Sequence, residues 1–257
     1  MKIGIHITTF NRKKFTEKCF LSLFLSKPKN SEVVIVDNAS NDSTKEFLQN
    51  LSFPFLKKII YNENNHHLGY AVVQGWKELK NSCDILAWIN NDFLFEPGWE
   101  ENVISCFNEL NLDYIDGIVN LNHKQKKPIS EIKTTPSGKG KYVITENVGA
   151  AYFIKTEWFN KGIAPLTIPW EKGYTGPGPT FHYSLLNKKL KGVRLASPGI
   201  LLLDPEYTKK ENIDYYNNVF SIRGIDKLLN KFRKKERLNG VAQGITWKDF
   251  LNKYGAK

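Results

Sequence analysis

The sequence predicts an α/β fold, a mostly parallel central sheet with helices on both faces, and three observations carry that expectation. Strand-like and helix-like segments alternate from the first residues, which favours parallel strands joined by helical crossovers. Ile85, Leu86, Ala87, Trp88 and Ile89 form an uninterrupted apolar run, the pattern of a strand covered on both sides. Three successive strands end in polar clusters, and open α/β sheets bind ligands just beyond the carboxyl ends of their strands.

The elements follow in order. Residues 2–9 alternate as a first strand and run into the turn Phe10-Asn11-Arg12. Residues 32–37 form a second strand that ends on Asp37, followed by the loop Asn38-Ala39-Ser40-Asn41-Asp42-Ser43-Thr44. Asp42 or Ser43 can cap the next helix, with Glu46 in its first turn. A short strand at 58–61 leads through Asn65-His66-His67-Leu68-Gly69-Tyr70-Ala71 into a helix reaching about residue 80. The apolar strand 85–89 then delivers Asn90, Asn91 and Asp92, oxygen donors of the kind a hard divalent cation requires beside a diphosphate.

These residues resemble the family 2 glycosyltransferases of the GT-A fold. The resemblance rests on Thr8-Thr9-Phe10-Asn11-Arg12, on Val36-Asp37-Asn38-Ala39-Ser40-Asn41-Asp42-Ser43-Thr44, on Asn65 through Ala71, and on Asn90-Asn91-Asp92. The family's forms are a T-x-N-R turn, a V-D-N-x-S-x-D-x-T loop, an N-x-G-x-x-x-A segment and a D-x-D element. A looser likeness continues in Gly149-Ala150-Ala151-Tyr152-Phe153, the acceptor-side strand. The resemblance implies a nucleotide-sugar donor, most often a UDP-sugar, and Mn2+ or Mg2+. It implies a nucleotide pocket lined by Thr8, Thr9, Asn11, Arg12, Asp37, Asn38, Asn65, Gly69, Asn90 and Asn91, with Asp37 on the base or ribose. Asp92 takes the metal-bearing last position of the D-x-D element. Asn90 takes the first, with less charge but with an oxygen for the ribose. His67 replaces a glycine common in relatives, and Gln74 stands where many carry asparagine.

The catalytic base departs from the family. Inverting members carry a Glu-Asp pair ahead of a helix that ends in glycine. Counting back from Gly192 lands on Thr180-Phe181 instead. A direct displacement needs a carboxylate or imidazole within reach of the acceptor hydroxyl, and the candidates here are Glu171 and His182. Glu171 can equally be a solvated loop acid, and His182 a packed or hydrogen-bonded histidine at a helix start. Asp204 follows the apolar run Ile200-Leu201-Leu202-Leu203, near the place where many GT-A enzymes carry a metal-binding histidine; it is either a second metal ligand or a turn residue before Pro205. His66 and His67 are adjacent and point apart, so they are read as nucleotide-loop residues rather than zinc ligands.

The chain has 257 residues, enough for one catalytic domain at 1–210 (donor half 1–110, acceptor half 111–210) and a helical extension at 211–257. Cys19, Cys83 and Cys106 read as reduced core thiols of a cytoplasmic protein, and neither a signal peptide nor a stretch of the roughly 20 apolar residues that span a bilayer is visible. Residues 1–180 hold 21 Lys and Arg against 19 Asp and Glu, whereas residues 181–257 hold 16 against 7. The excess is densest at Lys227, Lys231, Arg233, Lys234, Lys235 and Arg237. Such a segment is either a solvated face or an attraction to a polyanion. Two polyanionic acceptors fit: a lipid-linked or surface glycan met peripherally at the inner membrane surface, and DNA bearing 5-hydroxymethylated pyrimidines. The glycan is the favoured expectation. A module that binds a nucleotide-sugar without turnover is the non-enzymatic alternative, raised by the missing acid pair. Trp247, Phe250 and Tyr254 recur at helical spacing and are expected to pack the tail onto the catalytic domain.

Overall fold

The computed structural model describes residues 1–118, 131–144, 151–165, 177–203 and 244–255. Glu171, Asp204 and the basic segment 227–237 lie outside the described residues.

The predicted alternation is realised as β1 (Ile3–Thr9), α1 (Lys13–Leu25), β2 (Ser31–Asp37), α2 (Thr44–Gln49), β3 (Leu56–Tyr61), α3 (His67–Leu79) and β4 (Ile85–Asn90). The second half adds β5 (Phe93–Phe95), α4 (Trp99–Leu110), β6 (Tyr114–Asp116), β7 (Lys133–Thr134), β8 (Lys141–Val143) and β9 (Tyr152–Lys155). It continues with α5 (Thr156–Asn160), α6 (Pro177–Asn187), β10 (Gly192–Leu195), β11 (Ile200–Leu202) and α7 (Trp247–Tyr254). Among the described residues the main sheet has nine strands in the order β3-β2-β1-β4-β9-β6-β10-β8-β7, and β11 pairs with β5 in a small second sheet. β3, β2, β1 and β4 run parallel, and β9 lies antiparallel between β4 and β6.

Side-chain alternation divides the core into two layers. Ile3, Ile5 and Ile7 of β1 join Val33, Ile35, Ala87 and Ile89 beneath α1, α2 and α4. On the opposite face Val34, Trp88, Tyr152 and Ile154 pack under Val72 and Trp76 of α3 and Phe181 and Leu185 of α6. β4 is therefore apolar throughout because each face has its own helical cover. His6 sits on the α3 face, so close to the helix that a Cβ at Gly75 would stand 2.1 Å from its Nδ1. Glycine there lets α3 lie flat across β1.

A third cluster joins the tail to the body. Phe250 of α7 is buried with Phe15, Leu94, Leu201 and Leu203, and Trp247 stacks on its ring. Thr246 caps α7 by accepting from the Asp249 N–H. The aromatic spacing at Trp247, Phe250 and Tyr254 thus packs the end of the chain onto the catalytic domain, as expected. All three cysteines are buried and free. No helix among the described residues is long and apolar enough to cross a membrane.

Candidate functional site

Parallel register brings three strand ends together: Thr9 lies opposite Asp37, and Thr8 opposite Asn90. Beyond these pairs the backbone turns away, and side-chain hydrogen bonds take over from the ladder. Thr9 Oγ1 donates to Asp37 Oδ1 at 2.9 Å, and the Ser40 N–H donates to Asp37 Oδ2 at 3.1 Å. The Ser40 hydroxyl also donates to Asp37 Oδ1. Asn11 locks the first turn to the second loop, its N–H reaching Ser40 Oγ at 2.8 Å and its Oδ1 accepting from the Asn41 N–H at 2.8 Å. Asn38 ties that loop to the third, donating to Asn65 Oδ1 at 2.9 Å while its own Oδ1 accepts from Asn62 Nδ2 and the His66 N–H. Asn62 is paired in turn with Gln74 of α3.

The ten residues assigned to the nucleotide pocket therefore fall into three groups. Thr9, Asp37, Asn38 and Asn91 are buried and bonded mainly to one another and to their loops. Asp37 is only 1% exposed, and both its oxygens accept from neighbours. Asn91 donates to the Asn11 carbonyl oxygen and to Thr16 Oγ1, holding β4 to the start of α1. Asn11, Asn65 and Asn90 are partly exposed. Thr8 is buried with its hydroxyl 2.6 Å from His6 Nε2, Arg12 is buried beside Asp92, and Gly69 is buried in the first turn of α3.

Asn90 is held from within its own strand. The Trp88 indole N–H, which can only donate, meets Asn90 Oδ1 at 3.0 Å. One lone pair of that oxygen is engaged, and the second remains for another donor.

Asp92 follows immediately, 23% exposed at its side chain, with Oδ2 lying 3.4 Å from Arg12 Nη1. Its Oδ1 is buried and accepts no hydrogen bond among the described residues. An orphaned anionic oxygen at a strand end fits a hard divalent cation, since Mg2+ keeps several waters and needs one or two carboxylates beside substrate phosphates. Among the described residues no cluster of three or more His, Cys, Asp or Glu converges, so a cation here would rest on few protein ligands.

His182 lies deeper than a cleft base would. It is 3% exposed, its Nδ1 stands 3.3 Å from Tyr152 Oη, and its ring meets the edge of Tyr114. The family's acid position is taken by Phe181, which packs edge-on against Trp76, Trp88 and Tyr152. The helix stops at Asn187, and Gly192 opens β10 rather than ending the helix; a Cβ there would strike the Tyr114 ring.

One buried pair escaped the sequence reading. Asp116 of β6 lies opposite Arg194 of β10, and its Oδ2 accepts from both Nε and Nη2 at 2.6 Å. Burial pushes the Asp116 carboxyl up to about 6, with Arg194 opposing the rise. The signal was a charge inside each of two short apolar strands, Tyr-Ile-Asp and Val-Arg-Leu.

Comparison with known proteins agrees with this geometry. The model of the family "Glycosyl transferase family 2" matches residues 4–161. A dolichol-phosphate mannosyltransferase of Pyrococcus furiosus is 32% identical over 98 residues, 38% of this chain and 27% of that protein. The chain thus spans about a quarter of that relative's length. Residues 1–349 of TarS from S. aureus superpose with a TM-score of 0.58 at 16% identity, covering 78% of this chain and 59% of that one. The mannosyltransferase PcManGT of Pyrobaculum calidifontis, solved in complex with GDP-Man and Mn2+, gives 0.58 at 10% identity, covering 91% and 65%. Likenesses at this identity show the fold, which is that of the GT-A glycosyltransferases. With the family match spanning residues 4–161, well over half of the chain, this protein belongs to glycosyl transferase family 2.

Proposed function

We propose that the protein is a transferase that moves a sugar from a nucleotide-sugar, in the first instance a UDP-sugar, to a hydroxyl of a lipid-linked or surface glycan. The observation that carries this reading is the meeting of β1, β2 and β4 at Thr9, Asp37, Asn90 and Asp92, where one Asp92 oxygen accepts no hydrogen bond among the described residues. Family membership supports transfer, and relatives solved with UDP-GlcNAc or with GDP-Man and Mn2+ support a nucleotide-sugar donor.

The loops joined through Asn11, Ser40, Asn38 and Asn65 form a pre-set wall for the nucleotide, so little ordering is left to donor binding. Asp92, with Asp204 as second ligand, would hold Mn2+ or Mg2+. When bound, such a cation neutralises charge that develops on the departing diphosphate. Asn90 keeps an oxygen lone pair for a hydroxyl of the donor, and Arg12 adds a permanent positive charge beside it. The acceptor hydroxyl must lose its proton to a base; the burial of His182 favours Glu171 for this task over His182. Inversion at the anomeric carbon follows if the displacement is direct. The basic segment 227–237 would hold the protein to an anionic membrane surface that presents the acceptor.

The test supplies purified protein with Mn2+, a panel of UDP-sugars and GDP-mannose, and two acceptors: polyprenyl-linked glycan, and DNA carrying 5-hydroxymethylated pyrimidines. Mass spectrometry reads the added hexose or pentose. Gain on the glycan supports the proposal. Gain on the DNA alone replaces the acceptor and keeps the reaction. Nucleotide binding with neither transfer nor donor hydrolysis makes the chain a binding module.

A further inference from the structure

We infer that α7 is a positioning element of the donor site: Phe250 and Tyr254 hold Asp92 in place from behind, so that docking of α7 and binding of a nucleotide with its cation form one coupled equilibrium. The inference rests on the donor-site reading above and names the support that the site stands on.

Two acids bracket β5. Asp92 precedes Phe93 at the donor-site end, and Glu96 follows Phe95 at the other. Glu96 is 1% exposed, and two further segments converge on its carboxylate. From the turn between β10 and β11, the Gly199 N–H donates to Oε2 at 2.7 Å and the Ser197 hydroxyl to Oε1 at 2.9 Å. From α7, the Tyr254 hydroxyl donates to Oε1, and Lys253 Nζ stands 3.7 Å from the same oxygen. A buried carboxylate needs such donors, because an unsatisfied charge is costlier to bury than a neutral group. Glu96 therefore gathers β5, the approach to β11 and α7 at one point.

From α7 two routes lead to Asp92. The first runs through the backbone. Ile245, just before the Thr246 cap, bridges Leu203, and its N–H donates to the Leu202 carbonyl oxygen at 2.9 Å. The Leu203 N–H donates in turn to the Asp92 carbonyl oxygen. The second route runs through side chains. Phe250 is buried with Phe15, Leu94, Leu201 and Leu203. Arg12 Cζ lies 3.6 Å from the centre of the Phe15 ring, and Arg12 Nη1 lies 3.4 Å from Asp92 Oδ2. The carbonyl oxygen and the carboxylate of Asp92 are thus both held by groups that α7 backs.

α7 has eight residues, too few for a helix to persist in water without packing. Phe250 is its one buried side chain, so docking depends on that ring, on the Trp247 ring stacked against it and on the Tyr254–Glu96 bond. A nucleotide and cation that require Asp92 in its held position favour the docked helix. By linkage, docking strengthens their binding by the same factor.

The test compares wild type with Tyr254→Phe, Phe250→Ala and Leu79→Ala, at a temperature where circular dichroism shows each protein folded. Leu79 is the buried last residue of α3, and its truncation lowers stability without touching α7. Calorimetry reads the dissociation constant, at one fixed Mn2+ concentration, for whichever of UDP and GDP wild type binds. It should rise about threefold in Tyr254→Phe and about tenfold in Phe250→Ala, and stay within about twofold in Leu79→Ala. Hydrogen exchange supplies a second reading on wild type. With nucleotide and Mn2+ bound, the amides of residues 248–254 should exchange at least about threefold more slowly, beyond any slowing in α4. Equal affinities in Phe250→Ala and Leu79→Ala, or equal slowing in α7 and α4, would overturn the inference alone. A wild type that binds neither nucleotide in Mn2+ would overturn the donor-site reading, and the inference would fall with it.

Discussion

The Leu203 N–H donates to the Asp92 carbonyl oxygen at 2.9 Å, which joins the end of β11 to the end of the metal-candidate loop. β11 reaches this point by pairing antiparallel with β5, Leu202 lying opposite Phe93. The chain is thereby delivered beside Asp92 one residue before Asp204. Asp204→Asn is expected to raise the Mn2+ concentration needed for half-maximal donor turnover by about tenfold, as removal of one oxygen ligand from a hard-cation site should. The check is a Mn2+ titration of UDP release. An unchanged midpoint would return Asp204 to the role of a turn residue.

Phe250 is fully buried against Phe15, the ring on which Arg12 rests. Phe250→Ala leaves a cavity under both and is expected to cost about 3–5 kcal/mol of stability. Urea unfolding measures it. A cost below about 1 kcal/mol would mean that α7 does not support the catalytic domain.

His6 predicts a pH effect. Full burial beneath α3 lowers its imidazole from 6.5 to about 3. Between these values unfolding takes up a proton, so stability present above pH 6.5 is lost as pH falls toward 3, by about 1.4 kcal/mol per unit. Asp116 acts in the opposite sense between 3.8 and about 6, because its raised value lets the folded state hold the proton more firmly. The two slopes partly cancel in the wild type, so the clean observable is a difference. Relative to His6→Asn, wild type should lose about 2 kcal/mol of unfolding free energy between pH 7 and pH 5. Parallel curves for the two proteins would show that His6 titrates normally.

The fold of the first 110 residues was legible because its signals are local. An apolar run with a polar terminus identifies β4 and Asp92, and the polar clusters at 8–12, 37–44 and 65–71 each follow a recognisable strand. What could not be read is who bonds to whom across those loops. Asp37 and Asn91 are expected ligand contacts, and the structure adds their internal partners: Ser40 lies three residues beyond Asp37, whereas Thr9, Asn11 and Thr16 are far from their partners in sequence and come near only through the tertiary fold. Asn90 illustrates the same limit, since its orientation is set by Trp88, two residues earlier on the same face of the strand. Beyond residue 110 the strands are short, and their pairings join residues far apart in sequence, such as Asp116 with Arg194. A charge in a three-residue strand carries no pattern from which its partner can be inferred. Phe181 was located by counting, but that it fills the core beneath α6 emerged only from packing.

The central claim is that Asp92 and the strand ends around it form a working donor site. Its most direct test is release of nucleoside diphosphate from UDP-sugars and GDP-mannose in Mn2+, comparing wild type with Asp92→Asn. Release by wild type, reduced at least about 100-fold in the variant, is the expected result and corresponds to several kcal/mol of transition-state stabilisation. Equal release by both proteins, or nucleotide binding by wild type without release from any donor, would contradict the account.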